Sequence, residues 1–179
     1  MVSCIQLTIK GSNEQSLFRI PLDYECYLRL LGKYKLLFGI KIFGFCLMPD
    51  YVHLVLQSND PGDLSHLVRE VNWQYTRYFS MMHKSKGRLW NEDFKALNIQ
   101  SFSELVHCLN TIESEPVRSR ISNSPIEYLW SSYLYRILSE KNGKKSVPPG
   151  SAILDSIALV RGVFTRPSSN LPVAMGMGE

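Results

Sequence analysis

Apolar and polar positions along the chain switch between two periods. Over residues 4–9 they alternate, so Ile5, Leu7 and Ile9 share one face of a predicted strand. Gly11, Ser12 and Asn13 are turn material. A helix follows Pro21, with Asp23 in its first turn, Tyr24, Tyr27, Leu28 and Leu31 at helical spacing, and Gly39 at its end. Residues 40–48 are dense in Ile, Phe and Leu and read as a central strand. Met48-Pro49-Asp50 turns the chain into a paired strand over 51–57, forming a hairpin. In that second strand Tyr51, His53, Val55 and Gln57 fall on one face, and Val52, Leu54 and Leu56 on the other.

The strongest periodic signal comes next. Leu64, Leu67, Val68, Val71, Tyr75, Tyr78 and Phe79 make an apolar stripe on a long helix, with Asp63 as its candidate N-cap. Residues 94–100 read as a further short strand. Ser101 and Glu104 form a capping box ahead of a helix that turns Leu105, Cys108, Leu109 and Ile112 inward and that Pro116 ends or kinks. An aromatic segment over 128–133 closes the domain. The order β-α-β-β-α-β-α predicts an α+β fold, a ferredoxin-like antiparallel sheet with helices packed on one face.

Composition adds boundaries. A chain of 179 residues with 45% hydrophobic and 20% charged side chains is an ordinary globular sequence, which excludes bulk disorder. Residues 1–140 read as one domain. From 141 the chain becomes rich in Lys, Gly and Pro, so 141–179 is expected to hold a linker, a short helix over 153–164 and a loose tail. The apolar runs around residues 36–48 are broken by Lys41 and stop at Pro49, short of the roughly 20 residues a membrane span requires. The four cysteines form no CxxC pair and read as thiols of a reducing cytoplasm. The net charge of +4 is compatible with a polyanionic partner. The basic residues Arg77, Lys84, Lys86 and Arg88 follow one another with no acid between them.

Four segments, in order, resemble the single-tyrosine HUH transposases, in particular their REP-associated branch. Phe45 to Leu56 is similar to the family's MPNHVHLL hairpin. The segment from Leu64 to Phe79 is similar to its long helix. Gly87 to Lys95 resembles its GxLWQxRFK strand start. Ile112 to Arg118, followed by Trp130-Ser131-Ser132-Tyr133, resembles its YIELNPVRA and WSSY segments. The resemblance spans about residues 4–137 and implies the IS200-like transposase fold. It also implies single-stranded or hairpin DNA as partner, leaving both a monomer and a homodimer open. In that family, paired histidines at i and i+2 on a strand hold Mg or Mn, and a helix tyrosine attacks the DNA phosphate.

This chain departs from that pattern. The first histidine position is Tyr51, leaving His53 alone. Aligned through Glu113, Pro116, Val117 and Arg118, the nucleophile position falls on Thr111 and the metal-ligand position one turn later on Glu115. Asp93 takes the place of an arginine. A phenol is a poor replacement for an imidazole ligand, and a threonine hydroxyl is a poor nucleophile without an activating base. His53 and Glu115 remain as the metal candidates. Tyr51 is the outside candidate for a relocated nucleophile, since Tyr75 and Tyr78 lie on the apolar stripe. His66 and His83 read as surface or packing residues, whereas His107 can share a helix face with Thr111 and Glu115. The expected DNA contacts are Arg77, Lys84, Lys86, Arg88, Lys95 and Arg118. The expected function is that of a transposase-like DNA-binding protein impaired in catalysis. An active nicking enzyme using a relocated tyrosine and a repurposed interaction module are the alternatives.

Overall fold

The computed structural model of the protein describes residues 3–12, 15–142 and 154–155. Strand β1 (Ser3–Gly11) leads through helix α1 (Pro21–Leu37) to the hairpin β2 (Lys41–Leu47) and β3 (Tyr51–Ser58). Helix α2 (Pro61–His83), strand β4 (Trp90–Ile99), and helices α3 (Phe102–Glu113) and α4 (Glu115–Arg118) follow. A short 3-10 turn at Pro125–Glu127 precedes α5 (Ser132–Asn142). The four strands lie in the order β2-β3-β1-β4, and each neighbouring pair is antiparallel. This is the α+β, ferredoxin-like sheet that the sequence pattern predicts.

The period-2 reading of the strands sorts the core into two layers. Ile5, Leu7 and Ile9 of β1 join Val52, Leu54 and Leu56 of β3 in one apolar cluster with α1 and α2. The opposite faces of the same strands contribute Cys4 and Val55 to a second cluster with Leu105, Leu109 and Ile112 of α3. Thus α1 and α2 pack on one sheet face as expected, and α3 adds a layer over part of the other. Its approach is close because β2 carries a bulge between Ile42 and Gly44, where a side chain on Gly44 would collide with Leu109 Cδ2.

Local chemistry fixes the element ends. The α2 cap is Asp60 rather than Asp63: its carboxylate accepts from the Gly62 amide at 2.8 Å, and Pro61 fills the first helical position, where no donor is needed. Ser101 caps α3 as predicted, accepting from the Glu104 amide at 3.1 Å. The reciprocal arm is displaced by one residue, since Glu104 Oε2 accepts from the Gln100 amide at 2.8 Å.

The Glu113 and WSSY motifs are structural. Glu113 is buried between α3 and α5, where it accepts from Ser132 Oγ at 2.6 Å and from the Arg136 guanidinium. Ser132 Oγ in turn accepts from the Phe45 amide at 3.1 Å, tying α5 to β2. A buried carboxylate survives here because its charge is paired and its oxygens are hydrogen-bonded. The expected linker and tail, and all of the expected helix over 153–164 except residues 154–155, lie outside the described residues, and 154–155 are not helical. Asp155 itself docks on the free edge of β2, where its amide donates to Ile42 O at 2.7 Å and its carboxylate pairs with Lys35 at 2.6 Å.

Candidate nucleic-acid interface

The sheet face that α3 only partly covers carries the candidate chemistry. Ladder register sets Thr8 of β1 between His53 of β3 and Lys95 of β4. Thr8 Oγ1 and His53 Nδ1 lie 2.9 Å apart in a hydrogen bond, which fixes the ring and leaves Nε2 outside that bond. Burial is the main reason the His53 pKa falls below the ordinary imidazole value. The charges of Arg118 and Lys10 push the same way and the Glu115 carboxylate opposes them. His53 is therefore neutral at pH 7.

Tyr51 stands two residues before His53 on the same face, its ring edge-on to the imidazole with centroids 5.0 Å apart. Its hydroxyl donates to Glu115 Oε1 at 3.1 Å. Burial, then the negative charge of Glu115 and the bond to it, outweigh a hydrogen bond with Ser119 and push the phenol to about 12. Glu115 is held by several partners. Arg118 forms an ion pair with its Oε2, and Ser119 Oγ donates to Oε1 at 3.3 Å. Burial works against its ionisation, but the Arg118 and Tyr51 hydrogen bonds, the charge of Arg118 and, at the acid pH where the imidazole is protonated, the charge of His53 lower its pKa overall. The site is a closed circuit: a neutral imidazole, a protonated phenol and a carboxylate already neutralised by a guanidinium.

A Mg or Mn ion usually keeps several waters and takes substrate phosphate oxygens beside one or two protein carboxylates. His53 and Glu115 would be the protein donors here, and the carboxylate oxygens already accept from Arg118, Tyr51 and Ser119, so a cation would have to compete with the Arg118 guanidinium for them. Among the described residues, no three His, Cys, Asp or Glu side chains come together as a ligand set.

The other sequence candidates divide by sheet face. Arg88 and Lys95 line a groove of about 420 Å³ with Thr8, Lys10, Asn91, Glu92 and Asp93. Arg88 is bonded there to Glu92 at 2.5 Å. With Arg118 beside His53, three of the six basic candidates therefore gather on the Thr8 side. Arg77 lies on α2, Lys84 caps its C-terminal end and Lys86 follows, so this group belongs to the other layer. Tyr75 and Tyr78 also lie in that layer: Tyr75 donates to Leu17 O at 2.6 Å and Tyr78 to Asp23 Oδ1 at 2.9 Å. His83 Nε2 lies 2.9 Å from Asp23 Oδ1, and His66 and His107 are exposed. Thr111 is half-buried on α3, one turn before Glu115. Thr8, Lys10 and Ser119 escape a sequence reading because only strand register brings the first two to His53, and only the turn after α4 brings Ser119 to Glu115 and Tyr51.

Residues 6–107, more than half of the chain, match the family model described as "Transposase IS200 like", and the chain belongs to that family. A REP-associated tyrosine transposase bound to a REP hairpin has the same fold. Its TM-score is 0.65 at 15% identity, and the match covers 96% of this chain and 92% of that one. A putative transposase from Deinococcus radiodurans R1 is less similar in shape, with a TM-score of 0.48 at 19% identity, covering 64% of this chain and 92% of its own. No curated protein matches the chain. No described helix is long and apolar enough to cross a membrane.

Proposed function

We propose that this chain is a DNA-binding member of the IS200-like transposase family in which strand nicking through a tyrosine has been lost. The observation that carries the reading is the Tyr51–Glu115–Arg118 circuit beside His53. The phenol donates a hydrogen bond to a carboxylate and its pKa is pushed up to about 12, so at neutral pH it stays protonated and supplies no phenolate. Thr111 supplies no aryl oxygen at the family's nucleophile position, and a threonine hydroxyl makes a poor leaving group for rejoining.

What remains is suited to holding DNA. Lys10, Lys95 and Arg118 border the His53 face, and single-stranded or hairpin DNA offers phosphates to all three. Filter binding of a hairpin oligonucleotide from low to high salt tests this. Affinity is expected to fall steeply with salt, and Lys95→Ala is expected to flatten the log–log slope by about one unit. No retention of hairpin DNA at low salt overturns the reading.

One observation favours a second reading, a repurposed interaction module. The groove sets Glu92 and Asp93 among its cations, so its charge is mixed. Failure of DNA retention would favour that reading.

A further inference from the structure

We propose that the outer face of α2 is a second nucleic-acid surface, a stacking platform for unpaired nucleotides that lies on the far side of the sheet from His53. The proposal rests on the DNA-binding reading above and extends it to a site which that reading does not use.

The placement follows from helical geometry. The inward stripe of α2 runs through Leu64, Leu67, Val71, Tyr75 and Phe79, all buried. At about 100° per residue, Arg69, Trp73 and Arg77 fall within about 80° of one another on the opposite side and span about 12 Å along the axis, and Lys84 caps the C-terminal end of the helix in a left-handed conformation. A tryptophan on such a face is unusual, because burial of its large ring is normally favourable. Trp73 is 53% exposed. The Arg77 guanidinium lies 4.9 Å from the centroid of its ring, holding it by a cation–π contact. The exposed ring, with the guanidinium over it, offers a flat surface to which a further planar group, a nucleobase, can add. Arg69 is 71% exposed on its side chain, within 3.8 Å of Glu70, and Lys84 is exposed just past the helix. Among the described residues no carboxylate pairs with Arg77 or Lys84.

Cations spaced along a helix with an aromatic plane between them match a sugar–phosphate strand with splayed bases. An apolar protein partner is matched less well, since the aromatic is flanked by arginines. Single-stranded DNA is therefore the occupant, with bases on Trp73 and phosphates on Arg69, Arg77 and Lys84.

The test compares wild type, Trp73→Ala and Arg77→Ala on two probes: a blunt hairpin and an unstructured oligothymidine. Trp73 is outside the core, so both variants are expected to fold, and far-UV circular dichroism checks this. Trp73→Ala is expected to weaken oligothymidine binding about tenfold, the scale of one base–aromatic stack, when measured in a Lys95→Ala background that lowers binding at the His53 face, while blunt-hairpin binding through that face is unchanged by Trp73→Ala. Oligothymidine binding lost in the variant, with the hairpin bound by neither wild type nor variant, would keep this inference and remove the one it rests on. Equal oligothymidine affinity of Lys95→Ala with and without Trp73→Ala overturns it, as does wild type that binds no oligothymidine. A wild-type dimer that Trp73→Ala converts to a monomer also overturns it, assigning the face to a second copy of the chain.

Discussion

Tyr51 and Glu115 are bound to each other across two elements, a β-strand and a four-residue helix, by a 3.1 Å hydrogen bond from phenol to carboxylate. The bond couples the hairpin to the helix that follows α3, and it draws His53 into the same electrostatic unit. The negative charge of Glu115 raises the His53 pKa and the positive charge of Arg118 lowers it.

Substituting either partner should therefore move the histidine in opposite directions. Glu115→Gln removes the carboxylate charge, and the His53 titration midpoint is expected to fall. Arg118→Ala removes the opposing charge, and the midpoint is expected to rise. Proton NMR of the His53 ring over a pH series reads both. Identical midpoints in the two variants and wild type would show that the circuit carries no coupling.

Acid should loosen the α1–α2 layer. Asp23 is fully buried and accepts from the Arg19 and Ile20 amides at 2.8 and 3.1 Å, from Tyr78 and from His83. Burial works upward on its pKa, yet these bonds bring it below 3.8. A carboxyl with a depressed folded pKa contributes stability that is present above its unfolded value and lost as pH falls through the folded value. Urea midpoints are expected to drop between pH 5 and pH 3 in wild type. Asp23→Asn should be less stable at pH 7 and show a shallower acid decline. A parallel decline in both proteins would assign acid sensitivity to other groups.

The buried Glu113 predicts a sharp asymmetry between two substitutions. Glu113→Ala takes the buried carboxylate away from the Arg136 guanidinium and the Ser132 hydroxyl and is expected to cost about 3–5 kcal/mol. Ser132→Ala removes a neutral donor to the carboxylate and the acceptor of the Phe45 amide, and is expected to cost about 1–3 kcal/mol. Chemical denaturation measures both, and equal losses would contradict the charge-pairing account.

Gly44 is required by the closeness of α3 to the β2 bulge. Gly44→Ala is expected to destabilise by about 1–3 kcal/mol through overpacking against Leu109. The double variant with Leu109→Ala should lose less than the sum of the two single losses, because the added methyl then fills part of the space that the leucine vacates. Thermal unfolding of the single and double variants decides it, and an additive double variant would mean the two residues do not compete for space.

The order of strands and long helices was legible because period-2 and 3.6 patterns were long and unbroken. The Ile5–Leu7–Ile9 face, the β2–β3 hairpin and the α2 stripe all pack as read. The side of the sheet taken by α3 was not legible, since periodicity says which face of a helix is buried but not which sheet face buries it. Helix α5 was hidden because its first turn, Ser132 onward, reads as a polar and aromatic coil until Glu113 and Phe45 are brought to it. At the site, His53, Tyr51 and Glu115 could be singled out by motif alignment. Their closure into one circuit could not, and neither could Thr8 and Lys10, whose roles depend on a register set by the whole sheet.

The loss of tyrosine-mediated nicking is tested most directly by incubating the protein with hairpin DNA and Mg or Mn, then resolving the mixture on native and denaturing gels in parallel. The account predicts a shifted complex on the native gel and complete separation of protein from DNA under denaturing conditions. A protein–DNA band that survives denaturation with wild type and vanishes with Tyr51→Phe would contradict it.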